Sequence, residues 1–127
     1  MDRATLVAFD VKLGEAVIAA LDRSGYKPSV ALWAVLEEYG DARLVIASRK
    51  LDQKSLLKAN GEVLAALQRE QLDFHNLPNL LVLRMTDKFI QALRMTFGKA
   101  RSVEGMRLGN QLIGDRYLEE GYVYRIR

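Results

Sequence analysis

The stretch RMTFGKARSVEGMRLGN, residues 94–110, sets Arg94, Lys99, Arg101 and Arg107 against a single acid, Glu104, with Gly98, Gly105 and Gly109 between them. The chemistry such residues suggest is the gripping of phosphate. That needs positive charge together with backbone N–H groups aimed at one point, usually at a helix N-terminus. Here the glycines follow a helical pattern instead of opening one, and their spacing matches neither a P-loop nor a dinucleotide fingerprint. Two readings stay open: a solvated basic edge, or a contact for nucleic acid or another anion that Arg125 and Arg127 at the end of the chain would extend. They differ in whether the six side chains share one face and whether carboxylates are interspersed among them.

Other constellations are thinner. Asp73 stands two residues before His75, a spacing that lets a carboxylate orient an imidazole as a general base for a small hydrolase or nuclease. No nucleophile accompanies it beyond scattered serines such as Ser48, Ser55 and Ser102. Glu37, Glu38 and Asp41 gather at a turn, where they would seat a divalent cation or simply keep the turn in water. Tyr117, Tyr122 and Tyr124 lie among Arg116, Arg125 and Arg127, as in sheets that stack single-stranded bases or in a half-exposed edge strand guarded by charge. Trp33 sits inside an apolar run and is expected in the core, where its indole N–H needs an acceptor.

Composition removes whole classes of chemistry. The absence of cysteine excludes disulfides, thiol nucleophiles and cysteine metal sites, and a single histidine excludes a multi-histidine site within one chain. No cofactor or metal is expected. The longest apolar run, Val30 to Leu36, is far short of the roughly 20 residues of a spanning helix. With no signal-like N-terminal segment either, the expectation is a cytoplasmic protein without membrane contact. The net charge of +3 arises entirely in residues 86–127, with eight basic groups against five acidic; residues 1–85 carry eleven of each.

These residues must be positioned by a single α+β domain over residues 1–127, with three helices and a mixed sheet of about five strands in the order α-β-β-α-β-α-β-β. Leu6, Phe9, Leu13, Val17 and Leu21 recur at helical spacing, so the first helix is expected over residues 3–23 with Asp2 as N-cap and a stop at Ser24-Gly25. Two strands meet at Gly40-Asp41, and their consecutive apolar positions require cover on both faces, by helices or by a partner subunit. A second helix is expected over residues 51–72, capped by Asp52, with Leu56, Leu57, Val63, Leu64 and Leu67 inward. Its length suits a right-handed crossover to the strand LLVLRM, giving one parallel pair. Thr86 is the expected cap of a third helix burying Phe89, Ile90, Leu93 and Phe97 and ending at Gly98. A last hairpin turns at Gly114-Asp115, with Tyr122, Tyr124 and Ile126 alternating with Val123, Arg125 and Arg127.

The pattern ALWAVLEEYGDARLVIASRKLD, together with the terminal GYVYRIR, resembles a family of small bacterial proteins of unknown function. The resemblance implies a bacterial origin and no activity. The functional expectation is therefore a noncatalytic binding or interaction module, self-associating or with a protein partner. The first alternative is nucleic-acid binding through Arg94, Lys99, Arg101, Arg107, Arg125 and Arg127, and the second is hydrolysis through Asp73 and His75.

Overall fold

In the computed structural model, which describes residues 9–72 and 79–127, the elements run α1 (Val11–Arg23), β1 (Val30–Leu36), β2 (Ala42–Ala47), α2 (Leu56–Arg69), β3 (Leu80–Val82), α3 (Lys88–Phe97), β4 (Arg107–Ile113) and β5 (Arg116–Ile126). The expected α+β order is the observed one. A five-stranded sheet is arranged β3-β2-β1-β5-β4, with β2 and β3 parallel and the other pairs antiparallel. The apolar hairpin thus lies at the middle of the sheet, and every residue of β1 is buried. Helices α1 and α2 cover one face, burying Ala31, Trp33, Leu44 and Ile46. Helix α3 covers the other, over Leu32, Ala34, Leu36 and Val45. Three helices suffice for the hairpin, so no partner is needed there.

Several boundaries differ from the sequence-based expectation, each for a local reason. The first helix begins at Val11 because the Asp10 carboxylate accepts the amide of Leu13 at 3.0 Å; the expected cap Asp2 lies outside the described residues. The second begins at Leu56, where Ser55 accepts from Lys58 N. Residues 49–51 before it form a 3₁₀ turn, and Asp52 reaches across to accept from Met85 N at 3.0 Å. The buried side of α2 is Ala59, Val63, Ala66 and Leu67, so the alanines set its phase; Leu56, Leu57 and Leu64, expected inward, are exposed. Asp87, not Thr86, caps α3 through Phe89 N.

The last strand is not an edge: β5 lies between β1 and β4, and the edges are β3 and β4. Its alternation is also broken, since the register against β1 slips where Ala31 pairs with Arg125 but Leu32 with Val123. Val123 and Ile126 consequently share the α3 side, while Tyr122 and Tyr124 pack under α1. Tyr124 is held against α1 and Tyr122 lies beneath the Arg107 guanidinium, so these two rings are not displayed as a stacking platform.

Trp33 is the centre of the α1 side. Its indole donates to Tyr124 Oη at 3.0 Å and to Asp10 O at 3.3 Å, and its ring stacks with Phe9 at a 6.0 Å centroid distance. Tyr124 in turn donates to Val11 O at 2.7 Å, which ties β5 to the start of α1. Burial pushes the Tyr124 phenol up to about 12, so it stays a neutral donor.

Candidate functional site

The end of β5, the loop from Gly98 to Glu104 and the C-terminal half of α1 form two adjoining depressions. The larger, about 360 Å³, is lined by Gly98, Ala100 and Arg101 to Glu104 on one side and Tyr124 to Arg127 on the other. The smaller, about 200 Å³, lies between α1 and Glu104, with Glu15, Asp22 and Arg125 on its walls. Three of the six basic residues singled out in the sequence, Arg101, Arg125 and Arg127, therefore share one groove. Local folding explains the convergence: α3 stops at Gly98, whose N–H bonds to Arg94 O, and Gly105, at φ +83°, turns the chain so that its amide reaches Val123 O at 2.7 Å. The loop is thereby pinned alongside β5.

The six differ in what they have to offer. Arg125 is a strut, since its guanidinium makes a two-pronged contact with Asp22 at 3.0 and 2.9 Å and also donates to Pro28 O at 3.0 Å. That hydrogen-bonded pairing raises the Arg125 pKa and holds the Asp22 carboxyl below its ordinary value, against a smaller opposing effect of burial. Arg94 donates to the backbone O of Arg127 at 2.6 Å and so fixes the strand end. Arg101 and Arg127 are exposed on the groove, and Lys99 is exposed in the turn just before it. Arg107 does not join them: it lies over the rings of Tyr122 and Phe9, 5.4 and 5.7 Å from their centroids, and 3.8 Å from Glu120.

On the larger depression Arg101 and Arg127 stand against Glu104, while the smaller one adds Glu15 and Asp22, the latter matched by Arg125. Among the described residues, the amides of Arg101 to Glu104 donate to no backbone carbonyl, which leaves main-chain donors beside the arginines. Both Arg94 and Lys99 sit at the C-terminal end of α3, where the helix dipole favours cations whatever they contact.

Asp22 gives a pH dependence. Its folded pKa is lowered, so the stability it contributes is present above the unfolded value near 4 and is lost as pH falls through the lower folded value. Thermal melts from pH 6 down to pH 3 should show wild type losing more of its Tm than Asp22→Asn, which lacks the titrating group. Equal losses would contradict a working Asp22–Arg125 pair.

The remaining sequence candidates are dispersed. Glu38 binds Arg116 at 2.7 Å, and Asp41 binds Arg43 at 3.0 Å and Asn79 at 3.1 Å. Among the described residues no group of three or more acidic or histidine side chains is placed to hold a metal ion. Asp73 and His75 lie outside the described residues. Tyr39 and Tyr117, the exposed aromatics among the described residues, belong to the opposite end of the sheet, where Glu37 N bonds to Tyr117 O. Sequence reasoning did not place Ser102 or the loop amides at a groove, because only the pinning of the loop against β5 brings them there. No helix among the described residues is long and apolar enough to cross a membrane.

Compared with known proteins, the chain matches no family model, and no curated protein or solved structure is detectably similar to it. The resemblance drawn from the hairpin and the last strand therefore assigns no family.

Proposed function

We propose that the protein is a noncatalytic binding module that holds the phosphate backbone of a nucleic acid in the groove between the 98–104 loop and the end of β5. The observation that carries this reading is the convergence of Arg101, Arg125 and Arg127 on one depression, with Lys99 beside it. Arg101, Arg127 and Lys99 are the contacts. Arg125 is the positioning residue, because Asp22 already takes its charge. The reading carries no sequence preference: the tyrosine at the groove, Tyr124, is held under α1 by its bonds to Trp33 and Val11, so no aromatic face is offered to a base.

An NMR titration of the ¹⁵N-labelled protein with a short oligonucleotide tests it. Shifts should concentrate at residues 98–104 and 124–127 and be lost in the double variant Arg101→Glu/Arg127→Glu. Shifts centred elsewhere, or none at low salt, would refute it.

A further inference from the structure

The basic groove has little free charge to offer, and it is bounded on one side. Of the basic residues named from sequence, Arg125 is held by Asp22, Arg94 by the carbonyl of Arg127, and Arg107 by two rings and Glu120. Arg101 and Arg127 are left on the depression itself, with Lys99 just before it. A surface that tracks a duplex makes about six to ten phosphate contacts, so this small set suits a single multiply charged group instead. The boundary is acidic. Glu104, Tyr124 and Arg125 form a wall common to both depressions, and beyond it stand Glu15 and Asp22. A backbone running on in that direction would bring its next phosphate against carboxylates.

Both features fit a strand that stops here. We infer that the groove takes the end of a nucleic-acid strand, a terminal phosphomonoester, and not the phosphodiesters along its length; this rests on the reading of the groove as a nucleic-acid phosphate site. A monoester carries about 1.5 to 2 negative charges at neutral pH and presents three acceptor oxygens. Arg101 and Arg127 together balance that charge. The amides of Arg101 to Glu104, which donate to no backbone carbonyl among the described residues, and the exposed Ser102 supply further donors from the loop side. An internal diester, with a single charge and fewer free oxygens, would leave part of this donor set without a partner.

Fluorescence anisotropy at low salt tests this with one internally labelled single-stranded DNA sequence, prepared with a 5′-phosphate, with a 3′-phosphate, or with hydroxyls at both ends. One phosphorylated form should bind about tenfold tighter or more than the hydroxyl-ended strand, and the unlabelled strand closed into a circle should compete poorly. Arg101→Ala should cost the phosphorylated strand more than the hydroxyl-ended one. Glu15→Gln/Glu104→Gln, at two exposed positions, should narrow the preference by admitting strands that run on past the wall. Equal affinity for all three forms, full competition by the circle, or a preference unmoved by either set of substitutions would overturn the inference and leave the groove as a phosphate site. No binding of any form would overturn that reading as well.

Discussion

Gly14→Ala is expected to destabilise the protein by about 3 kcal/mol or more, although alanine is the better helix former by about 1 kcal/mol. A Cβ at position 14 would stand 2.2 Å from Tyr124 Oη, 2.6 Å from its Cζ and 2.7 Å from a ring carbon. The ring cannot yield easily. Its hydroxyl is held by Val11 O and Trp33 Nε1, and its edge meets Tyr122 at a 5.3 Å centroid distance. Swinging it out would leave the buried indole N–H with only the longer bond to Asp10 O, at a further cost of about 1–3 kcal/mol. Chemical denaturation of a double-mutant cycle checks the cause, because the sign should reverse with the ring gone: Gly14→Ala destabilises wild type but stabilises the Tyr124→Ala background. The same penalty in both backgrounds would place the effect elsewhere.

The second large effect is at Gly114, in the turn between β4 and β5. Its φ of +61° costs an L-residue about 1–2 kcal/mol, and a Cβ there would also lie 2.5 Å from Lys88 O and 2.8 Å from Lys88 C in the first turn of α3. Neither backbone can move without shifting the hairpin against the helix. Gly40 is the internal comparison, since its φ is +79° but nothing among the described residues lies within 4 Å of the added carbon. Gly114→Ala should therefore lower the urea midpoint by the equivalent of about 3 kcal/mol or more, and Gly40→Ala by about 1 kcal/mol. Similar losses at the two sites would mean that the turn does not press on α3.

Both glycines illustrate what could and could not be read from sequence. The turn at Gly114-Asp115 was legible as a Gly-Asp pair between two strand-like stretches, and the central hairpin because its apolar run admits no polar face. The contact of Gly14 with Tyr124 joins residues over a hundred positions apart and leaves no local trace. The phase of α2 was misjudged for a related reason. Leucines at positions 56, 57 and 64 outweigh alanines 59 and 66 in any hydrophobic count, yet the small side chains are what let the helix sit close on the sheet. The bulge in β5 likewise reassigns Ile126 to the other face without altering the pattern in the sequence.

The basic site was legible in part. Its members could be named from charge, and Arg101, Arg125 and Arg127 do meet at one groove. Which of them offer charge depends on distant partners: Asp22 neutralises Arg125, Arg94 braces the last carbonyl, and Arg107 is drawn to two aromatic rings. Sequence proximity grouped Arg107 with Lys99 and Arg101, whereas the turn at Gly105 sends it along β4.

The most direct measurement is the salt dependence of oligonucleotide affinity, by fluorescence anisotropy, for wild type and Arg101→Ala/Arg127→Ala. Phosphate contacts release counterions, so each one lost should reduce the slope of log affinity against log salt by about 0.7 to 0.9. The proposed groove requires measurable binding at low salt, weakening steeply as salt rises, with the slope shallower by about 1.5 in the double variant. Binding with an unchanged slope in that variant, or no binding at low salt, would contradict it.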